Sequence, residues 1–218
     1  MMIRECVAEA IGTFALVFAG TGAIVINDVS AGAVSHVGIA LTFGLVIMSM
    51  IYAIGNISGA HINPAVTIGF CVTRSFPAGR AFFYIVSQIS GAVLASLIIR
   101  LLFANRETIG ATLPFGPVWQ SAVLEFLLTF LLMFVVISVS RGVKEEGFVS
   151  GIAIGGMVAL EALFAGPISG ASMNPARSFA PALVSGHLEH LWVYILSPIS
   201  GAILGGLSAT FILGRKGQ

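Results

Sequence analysis

Between Asp28 and Arg74 the chain carries no Asp, Glu, Lys or Arg. That run is too long for one membrane crossing, which takes about 20 apolar residues. It also holds no charged loop that would end one crossing and begin another on the far side. A crossing followed by a short segment that enters the membrane and returns fits it. Irregular backbone survives at membrane depth only where protein or a water-filled cavity covers it. The region 164–183 has the same character, with Arg177 as its one charge.

Composition makes lipid the solvent. Of 218 residues 57% are hydrophobic and 9% charged, against roughly 25% charged in an ordinary soluble domain. Six apolar segments are long enough to cross as helices: 6–26, 37–56, 81–102, 117–140, 148–166 and 191–213. The first exceeds the apolar core of a signal peptide and is read as a crossing. Lys and Arg set the orientation. Arg4, Arg74, Arg80, Arg141, Lys144, Arg215 and Lys216 fall on one side, and Arg100 and Arg106 on the other. Both termini are therefore expected in the cytoplasm, with the chain multi-pass in the cell membrane. A net charge of +1 argues against a nucleic-acid partner. Cys6 and Cys71 sit in apolar stretches and point to no disulfide. No nucleophile–base pair, phosphate loop or metal-ligand cluster is evident, so neither an enzyme, nor a cofactor, nor a metal site is expected.

The chain repeats itself. Ser58-Gly-Ala-His-Ile-Asn-Pro-Ala65 recurs as Ser169-Gly-Ala-Ser-Met-Asn-Pro-Ala176, with Asn174 following Asn63 by 111 residues. Glu9-x3-Thr13-Phe14 recurs as Glu125-x3-Thr129-Phe130, and Tyr84-Ile-Val-Ser-Gln-Ile-Ser-Gly-Ala92 as Tyr194-Ile-Leu-Ser-Pro-Ile-Ser-Gly-Ala202. The expected organisation is one channel domain over 1–218 made of two repeats, about 1–105 and 115–218. Each repeat holds three crossings and one re-entrant segment. Three is odd, so the repeats are inverted, and inverted repeats with interrupted segments point to a site at the midplane between them. The fold class expected is all-α.

Asn is a favoured N-cap and Pro a favoured first helical residue. Asn63-Pro64 and Asn174-Pro175 each predict the start of a short helix, over Asn63–Cys71 and Asn174–Ala182. Each would be about 13 Å long, so two placed end to end approach the roughly 30 Å hydrocarbon core. Inversion makes their N-termini face each other. Each carries roughly half a positive charge, which repels cations and hydronium. Each Asn amide can direct an N–H into the passage while its oxygen serves the cap, which interrupts proton hopping along a file of water. Gly59, Ala60 and His61, and Gly170, Ala171, Ser172 and Met173, are small or precede the boxes closely enough to offer backbone carbonyls to a solute.

These paired boxes, with Arg177 after the second, closely resemble the aquaporin, or major intrinsic protein, family over nearly the whole chain. The resemblance implies the aquaporin fold, a homotetramer with one pore per subunit, and passive passage of water and small neutral solutes. It also implies an outer constriction at Phe43, Ala162, Ala171 and Arg177. Strict water channels of the family resemble one another in a His at the second position and often a Cys at the third; here both are Ala. The stretch Gly166–Ser178 looks most like the nodulin-type branch and its bacterial relatives, which pass glycerol, metalloid acids and some water. That branch usually has Trp where this chain has Phe43. Such a constriction is wide and partly apolar, and fits neutral solutes of glycerol size.

Other readings stand beside these. Arg177 is either a pore group or a structural charge tied to loop carbonyls. Glu9 and Glu125 either accept loop N–H groups, turning the carbonyls poreward, or relay protons. Glu161 has no counterpart in the other half; at the pore it would attract cations, making an ion-conducting or coupled transporter the rival function. A strict water channel and an adhesive membrane protein are the further alternatives. His61 is expected to contribute its carbonyl, and His187 and His190 to lie on the outer surface. Gly151-x3-Gly155 and Gly201-x3-Gly205 suit close helix packing.

Overall fold

A computed structural model describes residues 2–142 and 146–214. Lys144, Arg215 and Lys216 lie outside the described residues. The described chain is helical: α1 Met2–Val29, α2 Ser35–Ser58, α3 Pro64–Val72, α4 Ala78–Leu102, α5 Val118–Gly142, α6 Glu146–Ser169, α7 Pro175–Ser185 and α8 Leu191–Leu213. Six of these are long and apolar enough to cross a membrane, and the two short ones, α3 and α7, are not.

The six long helices match the six apolar segments, with ends that run further than the hydropathy suggests. α6 continues through Pro167 to Ser169, although expected to end at 166. Proline removes one helical N–H and orphans the carbonyl four residues before it. That carbonyl, on Leu163, instead accepts from His36 Nε2 on α2 at 2.7 Å. α7 likewise runs to Ser185, past Ala182. Gly186, at φ +86°, supplies the left-handed cap there, its N–H donating to the Ala182 carbonyl.

Helix contacts come in matching pairs. α1 packs on α2 and α4, α5 packs on α6 and α8, and α2 meets α6 across the middle. The short helices are exchanged: α3 packs on α8 as well as α4, and α7 on α4 as well as α8. Glycines set the closest crossings. A Cβ on Gly91 would lie 2.1 Å from the Ala10 carbonyl oxygen of α1. One on Gly201 or Gly205 would lie 2.2 Å from the carbonyl oxygen of Phe126 or Phe130 of α5. Gly44 and Gly155 stand in the same relation between α2 and α6, at 2.5 and 2.6 Å from each other's carbonyl oxygens. Gly151 instead makes room for the ring of Tyr52, 2.5 Å from where its Cβ would be. Backbones brought this near gain dispersion and weak hydrogen bonding, which replace the absent hydrophobic drive between helices in lipid.

Candidate functional site

Asn63 and Asn174 cap α3 and α7 in the same way. Both are extended, and each Oδ1 accepts from the second and third helical N–H: Ala65 and Val66 in one case, Ala176 and Arg177 in the other. The amides then reach across to the opposite half. Asn63 Nδ2 donates to the Met173 carbonyl at 2.7 Å, and Asn174 Nδ2 to the Ile62 carbonyl at 2.9 Å. This brings the two helix starts together. An amide has two hydrogens, so each Asn keeps one N–H for a passing molecule. The Met173 carbonyl, expected to serve solute, is thus already engaged by Asn63.

The loops leading into the two caps are held by buried carboxyls. Glu9 accepts from the His61 and Ile62 N–H groups at 2.9 and 2.7 Å, from Ser58 Oγ at 2.7 Å and from Gln88 Nε2 at 2.7 Å. Glu125 accepts from the Ser172 and Met173 N–H groups at 2.9 and 2.8 Å and from Ser169 Oγ at 2.8 Å. In a trans peptide the C=O points opposite to the N–H. The carbonyls of Ala60 and His61, and of Ala171 and Ser172, therefore point away from Glu9 and Glu125. The zigzag this requires puts Ala60, Ile62, Ala171 and Met173 at φ between +41° and +54°. Non-glycine residues rarely adopt such values, and they mark a functional constraint.

One cavity of about 350 Å³ runs along this arrangement. Its lining includes Gly59, Ala60, His61, Asn63, Ala171, Ser172, Met173, Asn174, Phe43 and Arg177. Gly170 and Ala162 are outside that lining; Ala162 is buried in the core cluster that also contains Phe43 and Ala171. Much of the remaining wall is apolar, from Leu16, Ile47, Ile51, Val66, Leu132, Val136, Ile154 and Val158, with polar side chains from Tyr52, Asn56, Ser140 and Ser150. A solute in this space meets polar groups along the two loops and at Arg177, Tyr52, Asn56, Ser140 and Ser150, with hydrocarbon between them.

Arg177 and Phe43 lie side by side in that lining. The Arg177 guanidinium lies 5.1 Å from the Phe43 ring centroid, and its Nη1 donates to the Gly110 carbonyl at 2.8 Å. Gly110 belongs to the α4–α5 connection and has φ +80°; a Cβ there would also meet Thr21 at 2.7 Å. The same connection sends Thr112 Oγ1 to Ser178 Oγ at 2.7 Å, and Ser178 Oγ lies 2.5 Å from Ser172 Oγ. Arg100 braces it by donating to the Arg106 carbonyl at 2.5 Å, and Arg106 pairs with Asp28 at 2.8 Å. Phe43 is seated on Gly20, where an added Cβ would lie 2.2 Å from its Cε1. Gly20, Gly110 and Thr112 were not anticipated from the sequence.

His61 packs its ring against Phe70, Phe76 and Tyr84, with centroids 4.7, 4.7 and 5.1 Å away. Its Nδ1 lies 3.2 Å from Thr67 Oγ1. Outside the pore, His187 lies 3.7 Å from Glu107, and His190 precedes α8. Glu161 is buried on α6, apart from the cavity lining.

A family profile described as major intrinsic protein matches residues 1–208. Aquaporin NIP1-4 of Oryza sativa subsp. japonica is 48% identical over 96% of this chain and 77% of its own length. Nodulin-26 of Glycine max is 45% identical over 93% of this chain and 75% of its own. Among solved structures, the aquaglyceroporin from Plasmodium falciparum superposes with a TM-score of 0.88 at 21% identity, covering 98% of this chain and 97% of that one. That likeness is one of fold.

Proposed function

This chain belongs to the major intrinsic protein family, the aquaporins, and from that premise we propose that it passes glycerol-sized neutral solutes as well as water while excluding ions and protons. As a member it is a multi-pass membrane channel for water and small solutes, not an enzyme. The finer reading rests above all on one observation: two Asn-capped helix starts joined across the cavity by the Asn63–Met173 and Asn174–Ile62 bonds.

Opposed N-termini place two partial positive charges at one point of the passage, so a cation meets repulsion there. A water molecule at that point accepts from the free N–H of each Asn, and its hydrogens turn outward along the file. Pore diameter, lining donors and half-helix dipoles are the general basis of aquaporin-type selectivity. Carbonyls of Ala60, His61, Ala171 and Ser172 take hydrogen bonds from solute hydroxyls, and the apolar wall receives the carbon skeleton. Ala at 162 and 171 leaves room at the constriction of Phe43 and Arg177. Relatives named for the nodulin group and a fold neighbour named aquaglyceroporin support the wider solute class. The functional unit is a homotetramer with one pore per chain in the cell membrane, both termini cytoplasmic. The seven-to-two Lys/Arg bias supports that orientation.

Proteoliposome swelling with glycerol as osmolyte tests the solute class. Flux above protein-free vesicles is expected; none above that background rejects it and leaves a strict water channel.

A further inference from the structure

Gly44 and Gly155, 111 residues apart, pack on each other reciprocally. A Cβ on Gly44 would meet the Gly155 carbonyl oxygen and then Ala159; one on Gly155 would meet the Gly44 carbonyl oxygen and then Met48. Met48 and Ala159 are again 111 residues apart. The amide bonds across the halves, from Asn63 to the Met173 carbonyl and from Asn174 to that of Ile62, repeat the spacing. A twofold relation therefore runs between α2 and α6 and between the two caps. It carries each residue of these segments onto a mate in the other half.

The constriction proposed above has mates under this relation: Ile154 for Phe43, Ile51 for Ala162, Ala60 for Ala171 and Val66 for Arg177. All four mates line the cavity. The Arg177 guanidinium lies 5.1 Å from the Phe43 ring centroid, so Val66 and Ile154 are set side by side, and both pack in one apolar cluster. α1 and α5 correspond at a spacing of 116, as Glu9 and Glu125 do. Gly20, which admits the Phe43 ring, thus has as its mate Val136, also in the lining. Phe43 and Ile51 are eight residues apart on α2, about 12 Å along its axis, so the two sets stand at different depths.

The second set lacks the guanidinium. Ile51, Val66, Val136 and Ile154 have side chains with neither donor nor acceptor. The hydrogen-bond partners beside them come from the first loop, at the Ala60 and His61 carbonyls. About one turn further from the caps, α2, α5 and α6 make the lining polar again with Asn56, Ser140 and Ser150. A water molecule crossing the apolar stretch keeps its bonds to the waters ahead and behind. A polyhydroxylated solute fills that space itself, and its hydroxyls turned away from the first loop meet hydrocarbon, which is costly.

We propose that Ile51, Val66, Val136 and Ile154 form a second selectivity belt, separate from Phe43 and Arg177, that holds back polyhydroxylated neutral solutes relative to water by withholding hydrogen bonds. This rests on the channel reading above and deepens it.

The test is a stopped-flow comparison of glycerol and water permeability in proteoliposomes of the wild type, Val66→Thr and Val66→Ala. Val66→Thr keeps the branched shape and puts a hydroxyl in the belt. It is expected to raise the glycerol-to-water ratio about fivefold, the factor carried by one modest hydrogen bond. Val66→Ala, which adds space and no polar atom, is expected to stay within about twofold of wild type. An unchanged ratio in Val66→Thr, or a rise in Val66→Ala as large as in Val66→Thr, overturns the proposal. If the Val66 variants do not assemble, Val136→Thr and Val136→Ala take their place under the same criteria. A wild type that passes water and no glycerol fails the solute class itself and the belt with it, a result visible before any variant is compared.

Discussion

Gly20 is where one added methyl group would be read out as flux. Its missing Cβ is what seats Phe43, since that carbon would stand 2.2 Å from the ring. Gly20→Ala pushes the ring off α1 toward Arg177, and stopped-flow measurement is expected to find glycerol permeability reduced several-fold and water permeability reduced less. Asn174→Ala removes an N-cap, worth about 1 kcal/mol, and the cross-half bond to Ile62, worth about 1 kcal/mol more. A loss of about 2 kcal/mol in denaturant unfolding of the detergent-solubilised protein checks it. Residues on or beside a motif, such as Asn63, Asn174, Ala171 and Arg177, were legible in the sequence because a cap, a turn or a charge in apolar surroundings has a local cause. Gly110 and Thr112 were not. Their contacts with Arg177 and Ser178 are made by irregular chain folding back over the site, and no periodicity announces where such chain returns. Gly20 was hidden for a different reason: within an apolar helix it is one small residue among several, and only the neighbour it admits distinguishes it.

Among the elements, the six crossings and two short helices followed from hydropathy length and from the Asn-Pro starts. Their ends followed less well, because ends are decided by partners. α6 passes Pro167 since His36 on α2 satisfies the Leu163 carbonyl. A carbonyl only accepts, so His36 carries its hydrogen on Nε2. His36→Ala is expected to cost about 1 kcal/mol, the net value of one such bond, and to loosen the last turn of α6. Faster amide exchange near Ser169 and Gly170 checks it, and exchange rates unchanged from wild type would contradict it. The two loops show how one plan is met by different means. Gln88 on α4 donates to both Glu9 and Thr67 in the first half. Pro198 holds the matching place on α8, and Thr112 of the α4–α5 connection donates to Ser178 instead. The half of the site at α7 is thus hydrogen-bonded partly to the α4–α5 connection, while the half at α3 takes its side-chain hydrogen bonds from Gln88 of α4 and Glu9 of α1.

At the scale of the molecule, the halves are tied by exchange. α3 packs on α8, α7 packs on α4, and the asparagines bond across. Neither half buries its own short helix alone, so the cavity and the fold form together. The α5–α8 crossing is correspondingly intolerant: the carbonyl of Phe130 occupies the space that a side chain at Gly205 needs. Gly205→Leu forces these backbones apart, and size-exclusion of the solubilised protein is expected to find loss of the folded species. The repetition of motifs made the two-part plan readable from sequence, because both halves solve one problem: holding irregular backbone in a membrane with a buried carboxyl. The central claim is that opposed, asparagine-capped helix starts let neutral molecules through and turn charges back. Its most direct test is simultaneous measurement of osmotic shrinkage and proton and sodium conductance in reconstituted vesicles. The account predicts water flux well above protein-free vesicles with conductance at the lipid background; a steady protein-dependent proton or sodium current would contradict it.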